Sequence, residues 1–241
     1  MSLQLEQVVI DASDPVGLGR WWAEMLEWVV VNDDPEEFEI RSMPEELPGL
    51  LFARVPEQKT LKDRVHLDLA SQTTEEQSAT IERLLAAGAS RTDIGQGDVD
   101  WEVMSDPEGN EFCVLAPNER TIGHGKLAAI AIDAHRPAVL APFWAALFGW
   151  KVEWPDEYGD IVVRDPTRPA PYLDILLVPE PKTLKNRLHL DFRPDNRDAE
   201  VARLLDLGAT RVDIGQGEQT WIVLADPDGN EFCVLASRTA G

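Results

Sequence analysis

Arg91–Ala116 reads RTDIGQGDVDWEVMSDPEGNEFCVLA, and Arg211–Ala236 reads RVDIGQGEQTWIVLADPDGNEFCVLA. The two stretches start 120 residues apart and stay in register throughout, so the chain carries a duplicated unit. A repeat has to be recognised before any single element is assigned. Working outward, KTLKDRVHLDL from Lys59 returns as KTLKNRLHLDF from Lys182, and WWAEMLEW from Trp21 returns as FWAALFGW from Phe143. The order of matched segments is kept. The chain therefore reads as two domains in tandem, 1–118 and 125–241. A linker at 119–124 lies inside the polar stretch PNERTIGHG. Each half is long enough to bury a core.

Each half contains a shorter pattern twice. Leu5–Asp11 is rich in Val and Ile and reads as a strand. Asp14 before Pro15 is a helix start, and Leu18, Trp21, Trp22, Met25 and Leu26 fall on one helical face. Strands follow at Trp28–Asn32, Phe38–Arg41 and Leu50–Val55. The pattern then restarts with strand Arg64–Leu69. A capping box of Thr73 and Glu76 opens a helix that Gly88 ends. Strands follow at Arg91–Ile94, Trp101–Ser105 and Glu111–Leu115, the last two joined by the turn Asp106–Gly109. The four helices are expected at about 15–27, 74–87, 138–148 and 197–207. In the second half Arg136 replaces Asp14, which weakens that cap. The expected fold is α+β, with two βαβββ modules per domain and four per chain. Each domain is expected to be a curved, partly open sheet with helices outside. The two domains would be related as a pseudo-dimer within one chain, which further self-association could extend.

Composition limits the partners. The formal net charge is −22, which opposes nucleic acid and anionic membrane surfaces. No apolar run approaches the length of a membrane span, and the N-terminus lacks the pattern of a signal peptide. The two cysteines, Cys113 and Cys233, occupy matching places in the two copies, so neither half can close its own disulfide. Free thiols suit a reducing cytoplasm.

Side chains alternate across a strand. With Val65, Leu67 and Leu69 facing the helices, Arg64, His66 and Asp68 face the concave side. By the same parity Glu111 and Cys113 join them, as do Arg187, His189, Asp191, Glu231 and Cys233 in the second half. Converging polar groups of this kind make a candidate site. Trp101 and Trp221 precede the turn hairpins and offer a planar surface for a ligand or for packing. His66 beside Asp68 or Glu111 reads either as a fixed structural pair or as a tuned general base, with Glu111 as its catalytic companion. Lys59, Lys62 and Arg64 read either as an anion clamp or as ion-pair partners of the surplus acids.

The paired βαβββ modules, the HLDL strand and the DPEGN and DPDGN turns resemble the glyoxalase, bleomycin-resistance and extradiol-dioxygenase superfamily, the vicinal oxygen chelate proteins. The resemblance runs along nearly the whole chain, twice, and is closest to glyoxalase-like proteins of unassigned activity. It implies the fold more strongly than the chemistry, because the superfamily isomerises, oxygenates, adds thiols and sequesters drugs. Its metal-dependent members hold a divalent ion with His or Gln on the first strand, His on the fifth and Glu on the eighth. Carried over, Gln7 and His66 fill the first two positions and Cys113 stands where Glu is usual, with Glu111 two residues earlier. The implied metal set is Gln7, His66, Glu111 and Cys113, for zinc, manganese or iron. In the second half Ala129 takes the place of Gln7, so His189 and Cys233 remain and no catalytic metal is expected there. Three functions follow. One is a small-molecule binding protein that needs no metal, with its concave cleft in the first half and Arg64, Asp68, Trp101, His189 and Trp221 as ligand contacts. Another is a divalent-metal lyase, isomerase or dioxygenase working in the first half. The third is a pseudo-enzyme whose second half only scaffolds the first.

Overall fold

The computed structural model describes residues 3–44, 47–123, 125–155, 159–167 and 171–237. His124, at the end of the expected linker, lies outside them. The first module is β1 (Leu3–Ala12), α1 (Pro15–Leu26), β2 (Val29–Asp33), β3 (Glu37–Arg41) and β4 (Gly49–Arg54). The second is β5 (Val65–Leu69), α2 (Thr74–Ala86), β6 (Ser90–Arg91), β7 (Glu102–Ser105) and β8 (Glu111–Val114). The third is β9 (Leu127–Ala134), α3 (Pro137–Phe148), β10 (Lys151–Glu153), β11 (Ile161–Arg164) and β12 (Tyr172–Leu177). The fourth is β13 (Leu188–Pro194), α4 (Arg197–Asp206), β14 (Thr210–Arg211), β15 (Ile222–Ala225) and β16 (Glu231–Val234).

Helix boundaries follow from local chemistry. The Asp14 carboxylate accepts the Gly17 N–H at 3.1 Å and opens α1, while Arg136 makes no such bond at α3. The Thr73 hydroxyl accepts the Glu76 N–H at 3.1 Å, and the Glu76 carboxylate reaches back to the Gln72 N–H at 2.8 Å.

The strands form two open eight-stranded sheets. Sheet I runs β14-β15-β16-β13-β1-β4-β3-β2, and sheet II runs β10-β11-β12-β9-β5-β8-β7-β6. The α+β class with four βαβββ modules is as expected. The repeat did not disclose which modules share a sheet. Sheet I joins the first module to the fourth, and sheet II joins the second to the third, so each sheet is shared between the halves. The chain leaves β8 on one side of β5 and enters β9 on the other, where β9 pairs antiparallel with β5. The second and third modules then occupy one sheet, which leaves the first and fourth to complete each other. Their seam is antiparallel, with Gln7 opposite Asp191 and Val9 opposite His189.

One continuous apolar core serves both halves. Trp22 of α1, which lies against β3 and β4 of sheet I, meets Phe112 of sheet II edge-on at 5.1 Å. Trp144 of α3 meets Phe192 at 5.9 Å and Phe232 at 5.5 Å in sheet I. The turn hairpins fasten the modules further. The Glu108 carboxylate accepts the Ser13 and Asp14 N–H groups, each at 2.8 Å, and the Asp228 carboxylate accepts the His135 N–H at 2.6 Å.

Candidate functional site

Strand parity sets the site. On β5 Val65, Leu67 and Leu69 enter the core, which turns His66 and Asp68 to the other face. On β8 Phe112 and Val114 enter the core, which turns Cys113 the same way. The two strands are parallel neighbours, and their register sets Asp68 against Cys113. The fourth module repeats this arrangement, with Asp191 set against Cys233. The result is two triads, His66–Asp68–Cys113 on sheet II and His189–Asp191–Cys233 on sheet I. Within each triad, one imidazole nitrogen, one carboxylate oxygen and the sulfur lie within 4.8 Å of one another. The His Nε2 to Asp Oδ1 distance is 3.4 Å in both. In both triads that Asp Oδ1 is buried and has no hydrogen-bond partner among the described residues.

Burial governs the protonation states. It pushes the His66 imidazole down to about 4, against the pull of Asp133, so the ring is neutral at pH 7. It pushes the Asp68 carboxyl well above the usual carboxylate range, with the nearby Asp174 charge adding to the rise and a Cys113 thiol hydrogen bond opposing it. Burial and then the Asp68 charge raise the Cys113 thiol, and burial and then Asp191 raise Cys233. These thiols are not free nucleophiles at neutral pH.

The other expected site residues divide. Gln7 does not stand beside His66. It lies on sheet I, where its amide donates to Asp191 Oδ2 at 3.0 Å. Opposite Asp68 on sheet II is Ala129. The implied set of Gln7 with His66 is therefore broken by the exchange of modules. In the second half Asp191 joins His189 and Cys233 as a possible donor, and Gln7 of the first half faces it across the seam of sheet I. Glu111 is not a member of the triad either. Its carboxylate accepts from Lys59 Nζ at 2.6 Å and from the Asp63 N–H at 3.0 Å. Burial alone would raise that carboxyl, but the Lys59 hydrogen bond and the Asp63 amide hold it below its ordinary value. Glu231 repeats the arrangement with Lys182 and the Asn186 N–H. The lysines are thus ion-pair partners and not an anion clamp. Arg64 donates to the carbonyls of Glu180 and Asp133 at 2.9 and 3.0 Å and helps close the junction between halves. Trp101 and Trp221 are half-buried just before β7 and β15.

The sequence reading placed Asp68 among ligand contacts and did not count it as a donor beside His66. The signal was available in the alternation of the His-Leu-Asp tripeptide. A cavity of about 380 Å³ lies along Lys182, Thr183, Leu184, Val212, Ile214 and Glu231, and its lining includes no triad residue.

The glyoxalase-like domain family matches the chain twice, over residues 7–115 and 129–235. A search of curated proteins finds no match. Among solved structures, glyoxalase I from Zea mays is 12% identical with a TM-score of 0.67, over 98% of this chain and 92% of that one. A candidate dioxygenase from Bacillus subtilis is 13% identical with a TM-score of 0.65, over 98% of this chain and 86% of that one. At such identity the likeness is one of fold.

Proposed function

Because the chain belongs to the glyoxalase-like domain family, matched once in each half, we propose that it binds a small organic molecule on the concave faces of its sheets. The observation that carries this reading is the duplicated, buried Asp oxygen without a partner beside His. A buried polar atom left unpaired costs about 1–3 kcal/mol, and a ligand donor would recover it. Sheet I is the better seat. The His189 side chain keeps 14% of its exposure against 6% for His66, so a ligand can reach it. The net charge of −22 favours an uncharged or cationic ligand over an anion. The two buried free thiols suit the cytoplasm, and no helix among the described residues is long and apolar enough to cross a membrane. The test is a thermal-shift screen of small organic molecules on the intact chain, followed by titration of His189→Ala and His66→Ala. Loss of binding in His189→Ala alone is expected. Affinity unchanged in both variants removes the reading.

A second reading is a divalent-metal lyase, isomerase or oxygenase. Three donors within 4.8 Å, one of them an unpaired carboxylate oxygen, fit a metal ion. Bound there, the ion would supply a Lewis acid to a substrate oxygen. The chain's own part would be a neutral imidazole as donor, a carboxylate held in place and a sheet floor that excludes water. Elemental analysis of the purified protein separates the two readings.

A further inference from the structure

We propose that β2, an open edge of sheet I, receives an extended basic segment of a partner protein as an added strand. Strands β1, β4 and β3 lie between this edge and β13, which carries His189 and Asp191, so the surface stands apart from the triads. The two sheets present four edges, β14 and β2 on sheet I and β10 and β6 on sheet II. An open edge is a template for another strand, and proteins blunt it by shortness or by charge. Strands β6 and β14 are two residues long, and β10 is three residues long with Lys151 and Glu153 on it. Strand β2 is five residues long and begins with Val29, Val30 and Val31, which are 41, 45 and 51% exposed. Only the register shift between Val30 and Asn32 interrupts its run. Three adjacent exposed valines are an apolar patch of the kind that marks an interaction surface. An added strand would take the open backbone groups of the edge and cover these side chains.

Charge selects the occupant. From Trp21 to Ile40 the chain carries seven acidic residues and no basic one. Arg20 and Arg54 meet Asp33 and Glu36 in exposed pairs, while Asp34 and Glu37, at the same end of β2, make no ion pair among the described residues. A second copy of the chain fits poorly. The antiparallel register that pairs all three valines with their copies sets Glu27 opposite Asp33 twice, and like charges directly opposite repel. Each copy also carries a net charge of −22. A segment with short apolar side chains between basic ones answers both the valines and the acids at the strand ends.

The probe is a short end-capped peptide of alternating valine and threonine with lysine at each end. It is titrated against the intact chain by fluorescence anisotropy, and amide hydrogen exchange locates it. Binding should slow exchange at those amides of Val29–Asp33 that face away from β3. Val30→Lys and Val31→Lys, both at exposed positions that tolerate the change, should each weaken binding by about tenfold. The same peptide with glutamate at each end should bind far less well, and added salt should weaken the lysine form. Binding without slowed exchange at β2, or affinity unchanged in both lysine variants, overturns strand addition at this edge. Equal affinity for the glutamate-ended peptide overturns the choice of a basic partner. Sedimentation of the unsubstituted chain supplies the remaining measurement, and it should show no self-association through this edge. A concentration-dependent dimer that Val30→Lys abolishes would give the edge to a second copy and overturn the proposal.

Discussion

At Asp63 the duplicated halves differ in chemistry, because its counterpart is Asn186. The Asn186 amide donates to Asn230 Oδ1 at 3.0 Å, while Asp63 is 4% exposed and its Oδ2 has no hydrogen-bond partner among the described residues. Burial pushes the Asp63 carboxyl up to about 8, although the Lys59 charge opposes the rise. The folded chain thus holds a proton that the unfolded chain gives up near 3.8. That contribution to stability is complete below the lower value and is lost as pH rises toward the higher one. Asp63→Asn should therefore stabilise the protein by about 1–3 kcal/mol at pH 8 and by little at pH 3.5. Thermal denaturation across that range reads the difference, and a gain independent of pH would contradict it. A second contrast lies in the paired tryptophans. Trp22 Nε1 donates to Asp106 at 3.2 Å, and Trp144 Nε1 has no hydrogen-bond partner among the described residues. Trp22→Phe should cost about 1 kcal/mol more than Trp144→Phe in urea unfolding. At this scale the sequence disclosed which side chains share a face, since parity alone turns His66, Asp68 and Cys113 together. It could not disclose that Lys59 occupies Glu111, because that contact joins a loop to a strand 52 residues away.

Elements were the most legible level. The four helices start within one residue of their expected positions, because Asp14, Thr73 and the prolines at 15 and 137 are local signals. Strands were legible where Val, Ile and Leu run together and less so at β6, which is two residues long where four were expected. That strand stands at a sheet edge, where few neighbours hold it. The caps give a test at this scale. Asp14→Ala should lower stability by about 1 kcal/mol through loss of its bond to the Gly17 N–H. Asp14→Asn, which keeps an acceptor for that N–H, should lose little. Chemical denaturation of both variants decides this. Equal losses would show that the cap at α1 contributes nothing particular.

The whole molecule was the least legible level. The repeat divides the chain in two, but sheets are chosen by pairing across long sequence separations, such as Gln7 with Asp191. No periodicity in the sequence encodes that choice. We propose that residues 119–124 can be cut without loss of the assembly, since two sheet seams and one core cross between the halves. A chain nicked at an introduced protease site there should elute at the size of the intact 26.9 kDa protein and separate only in denaturant. Separation at neutral pH without denaturant would refute this. The same exchange has a thermodynamic consequence. Each sheet takes strands from both halves, so anything bound across its seam favours both halves being folded at once. Ligand at 100 times its dissociation constant would add about 2.7 kcal/mol to the melting of the whole chain as one unit. A calorimeter should record a single transition that moves intact as ligand is added, and no early melting of the empty half.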